Sequence, residues 1–284
     1  MPAAVVVLLA GGLVANYWPQ PPPAPVPGNG PVAAADEPWV VAIADVRHAD
    51  VPSGKSCVGT LVAPDAVVTA AHCVARREPS ALSVVAGRTD LRTGDGRTVA
   101  VADIWTAPGY PSHDAPLDGL TRPLDGPPDI GVLLLADALP YRTLPMAGPA
   151  RAAPPGGTVA RLTGWRVSVA DEPVLWQSPT TVRDDARCRD VAAGARHWFP
   201  VPVLHGYRYD PAAYLCAGGG DRSVPARPSD SGAPLVVDGH LVGVNAWGPA
   251  TDPLAAQFYS RVGTWSGEIA RLVAEAGDSG HLPR

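Results

Sequence analysis

The sequence predicts an all-β fold, a sandwich or a barrel, rather than a helical bundle. Glycine and proline are abundant, with 30 and 34 residues in a chain of 284, which favours turns and short strands over long helices. Short apolar runs separated by turn residues recur from Trp39 onward. The length is sufficient for a sizeable buried core in one large domain or two small ones.

The apolar runs are the predicted strands. They are Trp39–Ile43, Val58–Ala63, Ala66–Ala70, Leu82–Ala86, Val99–Trp105, Ile130–Leu135, Val159–Leu162, Leu235–Val237 and Leu241–Ala246. The last two flank Asp238 and Gly239, a pair that accepts the positive backbone φ of a two-residue turn, so we expect a hairpin there. Thr106–Pro128 and Arg189–Pro211 are expected to be long loops.

One helix is expected near the C-terminus. Its apolar positions follow helical spacing and are Trp265, Ile269, Leu272 and Val273. Ser266 is expected to cap the start of this helix and Gly277 to end it.

The N-terminal segment points to export. Ala3–Ala15 is an uncharged run rich in valine and leucine, shorter than the roughly 20 residues that a bilayer crossing needs. We expect residues 1–15 to be a signal peptide or, because no basic residue precedes the run, an N-terminal anchor. Residues 16–36 are dense in proline and are expected to form an extended linker or propeptide.

Cysteine usage agrees with export. Cys57, Cys73, Cys188 and Cys216 show no CxxC spacing, and two disulfides are the simplest interpretation. Three pairings are formally possible, of which the nearest-neighbour one closes a short and a medium loop.

Charge and histidine spacing exclude several classes of function. The net charge is -5 and Lys55 is the single lysine, so no basic footprint for a nucleic-acid backbone exists. The histidines other than His72 lack paired acidic or cysteine spacing for a metal, and we expect neither a metal nor a cofactor.

Three segments carry residue types suited to nucleophilic catalysis. His72 lies in Thr69–Cys73 after an apolar strand, where a held imidazole can act as a base. Asp129 stands at the start of a strongly apolar strand, where a buried carboxylate needs a partner such as a histidine N–H. Ser231 lies in a tight turn among small residues, which suits an exposed nucleophile flanked by backbone donors.

Each of these residues alone would ordinarily be structural, but their motifs and their order together resemble the chymotrypsin-like (trypsin-family) serine proteases. The matching segments are T-A-A-H-C at Thr69–Cys73, D-I-G-V-L at Asp129–Leu133, G-W at Gly164–Trp165, C-A-G at Cys216–Gly218, A-W-G at Ala246–Gly248 and F-Y-S-R-V at Phe258–Val262.

The resemblance implies two six-stranded antiparallel β-barrels with an active site between them and a C-terminal helix. It implies a protease domain over residues 37–277 followed by a tail over 278–284. It also implies a histidine-loop disulfide between Cys57 and Cys73.

The resemblance further implies a secreted, monomeric serine endopeptidase that acts on polypeptides, with no nucleic-acid partner and no stable membrane partner beyond the possible N-terminal anchor. Ser231 would be its nucleophile, His72 its base and Asp129 the residue that orients the base. The backbone N–H groups of Ser229 and Ser231 would form the oxyanion hole.

The sequence departs from the family pattern at several positions. Ser229 and Ala233 stand where the family has glycine, and Ala246 stands where it has a serine that helps to hold the triad aspartate. No I-V-G-G type N-terminus precedes Trp39 to supply the ammonium that pairs with Asp230. A non-catalytic binding or adaptor protein is therefore an alternative function, and an esterase is a third.

The substrate pocket is expected to prefer an uncharged residue on the substrate. Its base falls near Pro225 and Ala226, which carry no acid that could pair with Arg or Lys. Its walls are expected to include Ala246, Trp247, Gly248 and Gln257. A second G-D-S-G string contains Ser279, but no strand follows it, so we interpret Ser279 as part of the tail.

Overall fold

The computed structural model describes residues 27–49, 51–110, 128–165, 173–194, 208–219, 230–248 and 256–279. Within them lie thirteen β-strands and two α-helices. The strands are β1 Gly30–Pro31, β2 Val40–Asp45, β3 Lys55–Ala63, β4 Ala66–Thr69, β5 Leu82–Ala86, β6 Arg97–Thr106, β7 Gly131–Leu135, β8 Val159–Trp165, β9 Leu175–Thr181, β10 Tyr214–Gly218, β11 Pro234–Val237, β12 His240–Trp247 and β13 Ala256–Arg261. The α-helices are α1 Asp185–Gly194 and α2 Val262–Ser279, and single 3₁₀ turns span Pro52–Gly54, Ala71–Cys73, Pro79–Ala81 and Pro149–Arg151.

The first six long strands close into an antiparallel barrel. Their order around the barrel is β2-β3-β4-β7-β6-β5. Branched aliphatic side chains such as Val41, Ile43, Leu61 and Leu133 are fully buried in one cluster, because alternate residues of each strand face the barrel interior. Every residue of β7 is buried, since α2 covers its outer face.

The second sheet has seven strands in the order β1-β9-β8-β11-β12-β13-β10. Its two ends approach each other beyond β9, where Val182 forms an antiparallel bridge with Ala217 and the Arg183 N–H donates to the Cys216 carbonyl at 2.9 Å. Two sheets, one of them a closed six-stranded barrel, and a C-terminal helix confirm the predicted fold class. The two-residue strand β1 is an addition to the six strands expected in the second sheet.

The hairpin between β11 and β12 is confirmed. Val237 pairs with His240, which leaves Asp238 and Gly239 as a two-residue turn. Their φ angles are 47° and 72°, the left-handed values that an Asp-Gly turn tolerates.

The C-terminal helix begins earlier than the sequence predicted. It starts at Val262, directly after β13, and it continues through Gly277 to Ser279. The predicted cap at Ser266 is wrong, because the Ser266 hydroxyl donates to the Gly263 carbonyl within the helix at 3.1 Å. No described helix has the length and apolar content needed to cross a bilayer.

The expectation of a loop over Arg189–Pro211 is wrong at its start. Helix α1 runs to Gly194, and Cys188 within it is bonded to Cys216 of β10. The other disulfide joins Cys57 to Cys73, so the nearest-neighbour pairing is confirmed.

The two sheets meet along β2 and β3. Val40, Ala42 and Val58 of the barrel share a buried cluster with Leu162 and Leu235 of the second sheet. Residues that follow β2 and β3 therefore lie beside the junction, where side chains from both sheets can contribute to one site.

Candidate active site

His72 lies in the 3₁₀ turn Ala71–Cys73 that follows β4. Ala71 and Cys73 are buried, whereas the His72 side chain is 35% exposed. The Cys57–Cys73 disulfide ties this turn to β3, so the imidazole is held at the surface by a rigid backbone.

Asp129 immediately precedes Ile130 and β7, and it is only 3% exposed. Its Oδ1 accepts the His72 backbone N–H at 2.8 Å, and its Oδ2 lies 2.6 Å from the His72 Nδ1. With Nδ1 bonded to the carboxylate, Nε2 is the imidazole nitrogen left to exchange a proton with a neighbouring group. The structure thus brings together two of the predicted site residues.

The environment of His72 raises its pKa above the ordinary 6.5. Burial disfavours the imidazolium, but the charge of Asp129 and the hydrogen bond to it favour the imidazolium more strongly. A histidine held in this way is a stronger proton acceptor than a free one.

Three further residues neighbour Asp129, and sequence reasoning missed all of them. The Ser260 hydroxyl donates to the Asp129 carbonyl at 3.0 Å. Tyr110 and Tyr214 lie near its negative charge, since burial and the charge of Asp129 together raise the pKa of both tyrosines. These residues lie far from Asp129 in the sequence, and no local pattern marks them.

Ser231 is anchored to the strand that neighbours His72. Its carbonyl accepts the Val58 N–H at 2.8 Å, and the Val58 carbonyl accepts the hydroxyl of Thr69 at 2.7 Å. Val58 follows Cys57, whose Sγ lies within 4.8 Å of an imidazole nitrogen of His72. A short path of contacts therefore connects the Ser231 turn with the imidazole.

The turn after Ser231 requires glycine. Gly232 has a φ of 82°, and a Cβ there would collide with the Val58 carbonyl oxygen and the Thr69 hydroxyl. The Gly232 N–H donates to the Asn245 carbonyl of β12 at 2.8 Å, so this turn is fixed from both sheets.

Asp230, the residue before Ser231, is 5% exposed and lies in the field of a buried cation. Lys55, at the start of β3, is 8% exposed. Burial lowers the pKa of Lys55 to about 8, and the negative charge of Asp230 opposes that decrease. No local sequence pattern indicates that Lys55 and Asp230 lie near each other.

The expected pocket is described only in part. Ala246 and Trp247 end β12, Gly248 follows it, and Gln257 lies in β13. The Gln257 side-chain amide lies against the open face of Gly248, since a Cβ on Gly248 would overlap it. The predicted residues Ser229, Pro225 and Ala226 lie outside the described residues.

A group of possible metal ligands occurs beside the imidazole. One ligand atom each of Cys57, His72 and Cys73 lies within 4.8 Å of the others. Both sulfur atoms belong to the disulfide, so neither is a thiolate that could bind a metal.

Comparison with known proteins identifies the family. The family model for trypsin matches residues 26–266. The chain belongs to the trypsin family. A trypsin from Saccharopolyspora erythraea is 29% identical over 235 residues, which covers 81% of this chain and 90% of that protein. Family membership makes this chain a serine endopeptidase, a hydrolase of a class that acts on polypeptides.

Solved structures agree with this assignment of fold. The VesB protease of Vibrio cholerae is 25% identical, with a TM-score of 0.64, over 86% of this chain and 67% of that one. The scabies mite inactivated protease paralogue S-D1 is 21% identical, with a TM-score of 0.70, over 87% of this trypsin-family chain and 97% of that one.

Proposed function

We propose that this trypsin-family protein is an exported endopeptidase in which Ser231, His72 and Asp129 form the catalytic triad. The observation that carries the proposal is the 2.6 Å contact between His72 Nδ1 and the buried Asp129 carboxylate. The anchoring of Ser231 on Val58 supports it, because Val58 belongs to the strand that is disulfide-linked to the His72 turn.

In the proposed reaction, the Ser231 oxygen attacks the carbonyl carbon of a peptide bond and its proton passes to His72 Nε2. Asp129 holds the imidazole in one tautomer and stabilises the imidazolium that forms. His72 then returns the proton to the departing amine, which leaves an acyl group on Ser231. Water, deprotonated by His72, hydrolyses that ester and restores the free serine.

The negative oxygen of the tetrahedral intermediate is proposed to accept the backbone N–H groups of Ser229 and Ser231. Removal of one such donor costs about 3 kcal/mol of transition-state stabilisation in comparable enzymes. The bond from the Val58 N–H to the Ser231 carbonyl supports the proposal, since it restrains the Ser231 backbone.

Specificity is proposed to favour an uncharged side chain at the residue before the cleaved bond. The predicted pocket base, Pro225 and Ala226, carries no acid. The amide of Gln257 beside Gly248 supports a pocket that is polar but uncharged at that wall. A peptide series with Leu, Phe, Arg or Lys at this position tests the proposal, and higher kcat/KM for Arg or Lys would refute it.

Export is proposed from the N-terminal apolar run and from the two disulfides, which persist in oxidising compartments. Trypsin-family proteases are typically secreted and disulfide-bonded, which supports the same conclusion. N-terminal sequencing of protein recovered from the culture medium tests the proposal. Recovery of the chain only from the cytosolic fraction would contradict it.

Casein cleavage tests the proposed function. The parent protein and the Ser279→Ala variant are expected to cleave casein, whereas Ser231→Ala is expected to lose cleavage while remaining folded. Ser279→Ala is the matched control, because Ser279 lies in the second G-D-S-G string, at the end of α2. Equal cleavage by the Ser231→Ala variant would refute the proposed nucleophile.

The alternative function is a secreted binding or adaptor protein that uses the protease fold without turnover. Ala233 favours this alternative. It is buried beside the turn that carries Ser231, and it adds a methyl group where the family has glycine. A folded parent protein that cleaves neither casein nor small esters would support this alternative. Turnover of esters without any cleavage of peptides would instead indicate an esterase.

A further inference from the structure

The guanidinium of Arg183 holds the C-terminal end of β10. Its Nε–H donates to the Gly218 carbonyl at 2.5 Å, and its Nη2 donates to the Gly219 carbonyl at 2.6 Å. The Arg183 backbone N–H donates to the Cys216 carbonyl of the same strand at 2.9 Å. One residue therefore binds three carbonyls within a short stretch of the chain.

The shape of the arginine side chain suits this contact. A guanidinium is planar and presents its N–H donors in a fixed fork, so two of its nitrogens can bind two neighbouring carbonyls at once. Hydrogen bonds from a charged donor are also stronger than those from a neutral one. Arg183 can therefore fix the orientation of both peptide groups and not only their position.

The two carbonyls belong to a turn that has little stiffness of its own. Gly218 and Gly219 have φ angles of 92° and 69°, left-handed values that glycine adopts readily. Because consecutive glycines can adopt many other backbone conformations as well, contacts from outside the turn must select this one. The Arg183 guanidinium provides such contacts.

The chain continues from this turn to the predicted substrate pocket. Residues 220–229 connect Gly219 with Asp230, and they include the predicted pocket base at Pro225 and Ala226. The residues after this segment are restrained separately, since the Ser231 carbonyl accepts the Val58 N–H. Arg183 thus restrains the chain just before the segment, whereas Val58 restrains it just after.

We propose that Arg183 is a positioning residue for the substrate pocket, which it keeps in place by fixing the glycine turn from which the pocket segment starts. The inference rests on the proposed function, because the position of the pocket matters only if the protein cleaves peptides. Arg183 acts through the backbone and touches neither the substrate nor the reacting atoms.

Kinetics of Arg183→Met in the full-length protein test the proposal. The substitution removes both side-chain donors, and we expect KM for peptides with Leu or Phe before the cleaved bond to rise about tenfold with kcat changed less than about twofold. The reason is that a displaced pocket weakens the binding of that side chain. The rate at which Ser231 reacts with a small dialkyl fluorophosphonate, which has no side chain to fill the pocket, is expected to stay unchanged.

Two further variants separate the fork from charge and from general stability. Arg183→Lys keeps the positive charge but not the planar fork, so most of the rise in KM is expected to remain. Arg88→Met is the matched control, because Arg88 is 5% exposed and its Nε–H donates to the Asp95 carbonyl at 2.8 Å, between β5 and β6 of the barrel. It is expected to lower the midpoint of urea unfolding and to leave KM unchanged.

Amide hydrogen exchange, followed by mass spectrometry, measures the restraint itself. Exchange in the peptide that contains Gly218 and Gly219 is expected to accelerate in Arg183→Met and to keep the parental rate in Arg88→Met. An unchanged KM or an unchanged exchange rate in Arg183→Met would overturn the proposal. Parental KM in Arg183→Lys, or an equal rise of KM in Arg88→Met, would also overturn it.

The exchange measurement also distinguishes failure of this inference from failure of the proposed function. If the parent protein cleaves neither casein nor the peptides, the proposed function fails, yet the exchange rates still show whether Arg183 fixes the glycine turn. If the parent cleaves the peptides and Arg183→Met keeps the parental KM, only the role of Arg183 is refuted.

Discussion

Lys55 makes the stability of this protein depend on pH in an alkaline range. It is the single lysine of the chain, it is 8% exposed, and burial lowers its pKa from 10.5 to about 8. Between these pH values the unfolded chain binds a proton that the folded chain has released. The free energy of unfolding therefore rises with pH across this window.

The magnitude follows from the size of the shift. One pKa unit corresponds to about 1.4 kcal/mol, so the rise from pH 7.5 to pH 9.5 adds roughly 2 kcal/mol to the free energy of unfolding. The measurement ends at pH 9.5 because tyrosines act in the opposite direction above it. Burial raises the pKa of Tyr110, Tyr209, Tyr214 and Tyr259, so their ionisation favours the unfolded chain.

Urea unfolding with both disulfides intact, at pH 7.5 and pH 9.5, measures the effect. The parent is expected to gain stability over this range relative to Lys55→Met, which cannot titrate. Lys55→Arg is the matched control, since it keeps the charge but also does not titrate below pH 10. If the parent, the methionine variant and the arginine variant respond equally to pH, the assignment of a buried, titrating Lys55 is wrong.

Three further changes test the turn, the second disulfide and the histidine-aspartate pair. Gly232→Ala is expected to lower the free energy of unfolding in urea by at least about 3 kcal/mol, against about 1 kcal/mol for Gly239→Ala. Both glycines have positive φ, but only at Gly232 would an added Cβ collide with neighbouring atoms. Equal losses would contradict this steric argument. Replacing Cys188 and Cys216 by alanine is expected to lower stability by about 3 kcal/mol, as their bond closes a 28-residue separation; unchanged stability would refute this. Asp129→Asn is expected to lower kcat about 10⁴-fold, the loss known for this substitution elsewhere in the family, and kcat near the parent value in stopped-flow assays would exclude its role.

The barrel strands were predictable because apolar residues mark them directly. Leu82–Ala86 was predicted with the bounds that the structure shows, since it is apolar at nearly every position and turn residues flank it. β9 was missed because Leu175–Thr181 contains Pro179 and several polar residues. Strand β1 pairs only with Trp176 and Gln177 of β9. Within the described residues, the edge of β9 that faces β1 therefore has no partner strand at Pro179, where a proline, which lacks an N–H, is tolerated.

The candidate site was predictable where its chemistry is local and unpredictable where it depends on tertiary contacts. His72 follows an apolar strand and Asp129 precedes one, each within a recognisable motif, and the structure brings their side chains together. Tyr110 and Lys55 carry no such pattern, because each meets its acidic neighbour only after distant segments pack. Buried polar residues of this kind cannot be distinguished in sequence from exposed ones.

The most direct test of the proposed triad is the site of reaction with a fluorophosphonate, mapped by mass spectrometry on the folded protein. A single adduct on Ser231, abolished by His72→Ala, is expected. A folded protein that forms no adduct, or forms it at Ser279 or another residue, would contradict the account.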